Sequence, residues 1–264
     1  MAADRMASRR RAGCMRSASH RGPVRAAARS DTRCVSYGTQ LGRVGNMEHS
    51  RSGDMAPDMQ DAIATVQRVP ARQVRAVFDA HTITVYQAYS PTIAEPAIAA
   101  GRFVPPFKLD RMTWIKPSFL WMMYRSGWAT KPGQERVLAI QITREGFEWA
   151  LGHSALSSYE PGLYASQQEW AERKRATPVR VQWDPERSLL LEPLGHRAIQ
   201  IGLTGEATRH YVQDWTAGIT DVTGLAYEIH DLVAAGDVTA ASEKLPAERP
   251  YPLPDSLNAD IGAA

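Results

Sequence analysis

A chain of 264 residues with 44% apolar side chains and a formal charge of +3 has the make-up of an ordinary globular protein, which excludes fibrous and low-complexity classes. Residues 1–56 carry 11 Arg against Asp4, Asp31, Glu48 and Asp54, while the other 208 residues carry 20 basic and 24 acidic side chains. The basic character therefore belongs to the first segment, and the mildly acidic remainder argues against extended nucleic-acid binding.

Residues 1–56 are expected to form a basic disordered tail, or an extension upstream of a start near Met47 or Met55. Too few large apolar residues occur there to offset the entropy of ordering. Abundant Arg, Ala and Ser with few acids also suits a mitochondrial transit peptide, the less favoured reading. Both cysteines, Cys14 and Cys34, lie in this segment, so the rest has no disulfide framework, thiolate nucleophile or cysteine metal site. No apolar run approaches the roughly 20 residues that cross a bilayer. A soluble, cytoplasmic protein without a membrane partner is expected.

Residues 57–245 read as a single α+β domain. Val74–Phe78 and Thr82–Tyr89 alternate as strands, the second with Ile83, Val85, Gln87 and Tyr89 on one face and Tyr86 and Ala88 on the other. Ser90-Pro91 opens a short helix that ends at Gly101. Arg111–Lys116 is extended and stopped by Pro117, and Ser118 caps an apolar helix that runs to Gly127. Val137–Thr143 is an interior strand, and Glu145–Leu156 has helical spacing. Ser166-Gln-Gln-Glu169 is a capping box that opens a charged helix to about Ala176. Val179–Asp184 is a strand, Asp184–Arg187 a turn and Leu189–Glu192 its return, followed by a strand at Arg197–Leu203. One long helix is expected over Arg209–Ala235. Residues 246–264, with Pro246, Pro250, Pro252 and Pro254, should be an irregular tail. The whole predicts a mixed, largely antiparallel sheet, or two small sheets, with flanking helices.

Two segments carry the candidate chemistry. Arg111–Arg125 sets Arg111, Lys116 and Arg125 among Trp114, Trp121 and three Met. Unpartnered cations are costly to bury, so the segment suggests an aromatic-walled pocket offering cations to an anion. In the bland alternative, Trp and Met are core and the cations reach the rim. Arg180–Arg187 places Arg180, Gln182 and Asp184 on one strand face, with Glu186, Arg187 and Arg197 close behind. This polar face is either a catalytic rim or a solvated strand. Seven dispersed His with no ligand spacing give a zinc site no support, and no metal is expected. Dinucleotide-fold, P-loop and nucleophile-elbow motifs do not occur.

The runs Val85-Tyr-Gln-Ala-Tyr89, Arg111–Arg125, Gln182-Trp-Asp-Pro-Glu-Arg187 and Arg197-Ala-Ile-Gln-Ile-Gly-Leu203 resemble the family called domain of unknown function 4291, over about residues 70–235. That resemblance supplies no mechanism. The order of elements is also similar to that of ADP-ribosyltransferases, which hold NAD in a cleft between two small sheets and rely on a Glu.

This similarity implies a nucleotide-dependent transferase, with NAD as cofactor or another phosphate-bearing small molecule as ligand. Arg111, Lys116 and Arg125 would serve the phosphates, Tyr86 or Trp114 would stack on a ring, and Gln87, Thr113, Gln182, Arg187 and Arg197 would complete the nucleotide-binding set. Glu186 or Asp184 would stabilise charge developing on the sugar. Glu186 is favoured because it lies past the expected turn with the longer reach. Two other classes stay open: an RNA-binding or RNA-end-processing protein using the same cations and aromatics, and a non-catalytic interaction module.

Overall fold

The computed structural model describes residues 69–263, so the expectation for residues 1–56 lies outside the described residues. After the short β1 (Arg75–Ala76), the alternating segment forms β2 (Thr82–Tyr89). Helix α1 (Pro91–Ala100) has Pro91 in its first turn, and Gly101, at a φ of 64°, closes it in the left-handed region that glycine adopts without strain. Strand β3 (Thr113–Ile115) leads to α2 (Phe119–Ser126), where Ser118 Oγ accepts from Trp121 N at 3.0 Å. Then come β4 (Arg136–Thr143), α3 (Arg144–Gly152) and β5 (Ser154–Leu156). Helix α4 (Gln167–Ala176) is capped by Ser166 as its capping box requires.

Strands β6 (Val179–Arg187) and β7 (Pro193–Leu203) form the longest pairing. Helix α5 (Glu206–His210) runs into a π-helical turn (Tyr211–Trp215) and then β8 (Thr216–Asp221). Helices α6 (Thr223–Ala234) and α7 (Val238–Glu243), strand β9 (Arg249–Pro250) and α8 (Asp255–Ile261) complete the order.

The strands make three sheets. β2-β4-β8 is antiparallel, β3-β7-β6-β5 is antiparallel except for the parallel β5–β6 pair, and β1 pairs with β9. The fold is thus α+β with mostly antiparallel strands, in the form of separate small sheets. β2 shows how the sequence makes this architecture. Ile83 and Val85 enter a core shared with Val181, Ile199 and Ile201 of the four-stranded sheet, while Tyr86 on the opposite face joins a second core. Phe119 and Met123 of α2 and Ile229 of α6 fill that second core. The three-stranded sheet is therefore covered on both faces, which suits the nearly continuous apolar run of β4.

Four local expectations need correction. Asp184–Arg187 is not a turn. Strand β6 continues through it, with a register irregularity between Pro185 and Arg187 that accommodates a residue lacking an N–H to donate, and the connection falls at 188–192. The expected helix over Glu145–Leu156 ends at Gly152, and Ser154–Leu156 pairs with β6. Arg209–Ala235 is not one helix, because Thr216–Asp221 forms the third strand against β4. The β-branched Thr216, Ile219 and Thr220 favour that state, and pairing satisfies the edge of β4. Residues 246–263 are no loose tail: β9 pairs with β1, and Tyr251 and Ile261 are buried in the main core. Their prolines end hydrogen bonding locally without preventing apolar side chains from docking.

Gly146 in α3 packs against the indole of Trp215, where an added Cβ would lie 2.3 Å from the ring. Gly146→Ala should cost about 1–3 kcal/mol by overpacking, seen as a lower urea midpoint at unchanged slope.

Candidate functional site

β2 is an edge of the three-stranded sheet and β3 an edge of the four-stranded one, and the two edges meet at an isolated bridge. There Tyr86 N donates to the Lys116 carbonyl at 2.7 Å. Beside this junction lies a cleft of about 410 Å³. Gln87 and Tyr89 line it from β2, Thr113 and Trp114 from β3, and Met122 and Arg125 from α2; Lys116 and Arg111 flank β3, and Phe107 and Lys108 add the wall that precedes it.

The floor is a connected polar chain. Tyr211 OH donates to Gln87 Oε1 at 2.7 Å, and Gln87 Nε2 donates to Thr113 Oγ1 at 2.8 Å and to the Trp114 carbonyl at 3.1 Å. Tyr89 OH lies 3.1 Å from Thr113 Oγ1. Gln87 is only 3% exposed, so these bonds fix which way its amide points. Burial pushes the Tyr89 phenol up to about 12, against the pull of Thr113 and Arg111.

Trp114 owes its position to a missing side chain. It faces Gly202 across the β3–β7 ladder, and a Cβ on Gly202 would come within 3.0 Å of the indole. By strand parity Trp114 and Lys116 share the face opposite Ile115, which is in the main core. Lys116 is 7% exposed, and its ammonium group donates at 3.3 Å to the Trp114 carbonyl. Burial, reinforced by the nearby positive charge of Arg125, lowers its pKa from 10.5 to about 8, with Asp184 opposing. Arg111 and Arg125 are exposed. Among the described residues no carboxylate lines the cleft.

Of the residues expected to act together, Gln87, Arg111, Thr113, Trp114, Lys116 and Arg125 are gathered in the cleft. The others are not. Tyr86 turns into the second core, edge-on to Phe119. Arg187 lies over the Tyr124 ring at 3.6 Å, and Arg197 donates to the Trp183 carbonyl. Asp184 accepts from Gln182 at 2.8 Å and from Gln200 at 2.5 Å, and it reaches the cleft only through its field on Lys116.

Glu186, the favoured carboxylate, points elsewhere because the strand does not turn. It accepts from Ser118 Oγ at 2.9 Å and Arg187 N at 2.8 Å, next to the N-terminus of α2. Glu248, from the segment expected to be irregular, accepts from Phe119 N at 2.7 Å. Burial and the proximity of Glu186 raise Glu248 to about 8, and burial also raises Glu186. Arg75 and the buried Tyr86 phenol also face Glu248. These two carboxyls position α2, which presents Arg125 to the cleft.

Sequence reasoning missed Tyr89, Lys108, Gln200 and Glu248. Tyr89 was within reach, since it shares the β2 face of Gln87. Glu248 had no signal, because its neighbours Pro246 and Pro250 masked an ordered segment.

Residues 73–251 match the family described as domain of unknown function (DUF4291). No curated protein matches the chain.

Buried ionisable groups give this arrangement a pH signature. Between pH 4.5 and about 8 the folded chain keeps the Glu248 proton that the unfolded chain releases, so this contribution to stability falls as pH rises. Between about 8 and 10.5 the unfolded chain holds the Lys116 proton that the folded chain lacks, so stability climbs again. Urea midpoints should show these two contributions passing through a minimum near pH 8. Glu248→Gln should flatten the acid limb and Lys116→Met the alkaline one.

Proposed function

The chain belongs to this family, and we propose that it is a nucleotide-dependent transferase whose cleft between β2 and β3 holds the phosphates of its nucleotide. One observation carries the reading: Arg111, Lys116 and Arg125 converge on a cleft with no carboxylate in its lining among the described residues. Cations gathered without acidic partners repel one another, and a bound phosphate relieves that repulsion. Each charge-assisted hydrogen bond contributes about 1.5–3 kcal/mol, so three at the upper end of that range reach the roughly 8 kcal/mol of a micromolar ligand. Trp114, seated on Gly202, offers an aromatic face for a ring, and the Gln87–Thr113–Tyr89 chain offers polar contacts to a sugar or base.

NAD fits this cleft in part. The cations suit its diphosphate and Trp114 suits a ring. Neither Asp184 nor Glu186 lines the wall to steady positive charge on a sugar, so the fit favours nucleotide binding over carboxylate-assisted cleavage of the nicotinamide bond. The electrostatics also accommodate a phosphorylated RNA end, but four cations gathered in one cleft provide no track for a longer strand.

ADP or NAD at a hundredfold excess over its Kd should stabilise the fold by about 2.7 kcal/mol, a rise in melting temperature of about 5–10 °C. Arg111→Ala and Arg125→Ala should each remove most of that rise while leaving the ligand-free melting temperature within a degree or two, about the effect of an exposed substitution. Equal protection by sulfate would reduce the cleft to a general anion patch. Following free nicotinamide in the same samples separates NAD turnover from binding.

A further inference from the structure

The chain has five lysines, of which Lys108, Lys131 and Lys244 are exposed and Lys174 is half-buried over the Trp170 ring. Lys116 alone is buried, and it faces the cleft. Its surroundings are unusual for a structural cation. Among the described residues no carboxylate accepts from it and its one hydrogen-bond partner is the Trp114 carbonyl at the long distance of 3.3 Å, while Arg125 repels it from the same cleft. Asp184, the acid whose field reaches it, is engaged by Gln182 and Gln200. A lysine held only to carry charge gains from an ion pair, whereas desolvation beside a second cation favours the free amine.

We propose that Lys116 is a nucleophile that captures a phosphate-bearing aldehyde or ketone in the cleft as an imine. The substrate class follows from the neighbours and rests on the phosphate-binding reading above: Arg111 and Arg125 take the phosphate, and the reacting carbon meets the deeper Lys116. The unprotonated Nζ attacks the carbonyl carbon, forming a C–N bond as the C=O pair moves to oxygen. Both nitrogen protons pass in turn to that oxygen, first giving a carbinolamine hydroxyl and then water, which leaves as the nitrogen lone pair closes the C=N bond. No oxidant or reductant takes part. The Lys116 pKa of about 8, against the ordinary 10.5, supports the step by raising the free-amine fraction at neutral pH roughly three-hundredfold. A sugar phosphate, or a nucleoside diphosphate sugar whose terminal ring opens to an aldehyde, has the required groups.

The full chain would be incubated with ADP-ribose, reduced with borohydride and mapped by peptide mass spectrometry, with the melting temperature measured in parallel. The adduct should fall on Lys116 at about tenfold or more over the other four lysines. Its yield should rise with pH up to about 8 and then level off. Lys116→Arg should lose it while keeping most of the melting shift. Lys116→Met, checked for folding by its own melting curve, should lose it as well. A melting shift with Lys116 labelled no more than the surface lysines would overturn the nucleophile and leave the nucleotide cleft standing. Neither shift nor label would overturn both. Equal labelling of Lys116 by glyceraldehyde, which has no phosphate, would overturn the substrate class.

Discussion

Gln87 is the residue on which the cleft depends. It sits on β2, accepts from Tyr211 and donates to Thr113 and to the main chain of Trp114, so one buried amide ties the two sheets together. A buried amide left unpaired costs about 1–3 kcal/mol, so the sheets cannot slide apart or change register without a penalty at this point. The neighbouring Tyr86–Lys116 bridge adds a main-chain tie. The cleft opens beside a junction held by few bonds, and a small number of polar atoms sets its shape.

The chemistry of the cleft is a matter of what lies deep and what lies at the mouth. Arg111 and Arg125 are exposed to water, while Lys116 is buried, with its pKa lowered by that burial. The carboxyls are kept elsewhere. Asp184 is held by two glutamine amides, and Glu186 and Glu248 are spent on the first turn of α2. This separation of acids from bases leaves the cleft positive although the chain after residue 56 has more acids than bases.

Much of this was legible in the sequence where local pattern and tertiary demand agree. The alternation over Thr82–Tyr89 sorted β2 into its two faces, and the cation-rich aromatic run Arg111–Arg125 supplied seven of the cleft's residues. Errors arose where a partner distant in sequence decided the outcome. Thr216–Asp221 is a strand because β4 needed a neighbour, and Asp184–Arg187 stays extended because β7 lies alongside, despite a Pro that reads as a turn. The same cause redirected Glu186 from the cleft to Ser118. Glu248 was invisible because nothing local reveals that a proline-rich stretch will dock 129 residues away at Phe119.

The pairing of β1 with β9 also has a consequence for biosynthesis. Arg75 and Ala76 pair with Pro250 and Arg249, and the main chain of Tyr251 donates to the Val74 carbonyl at 2.8 Å. Synthesis delivers these partners about 175 residues apart, at roughly 5–20 residues per second. During that interval the Val74–Ala76 edge and the amide of Phe119 lack their final partners. Much of the four-stranded sheet can assemble earlier, but the body closes only after residues 248–251 have left the ribosome exit tunnel. The last steps of its folding therefore wait for residues 248–251, and a nascent chain stalled before Glu248 emerges would present the cleft's α2 wall without its anchor.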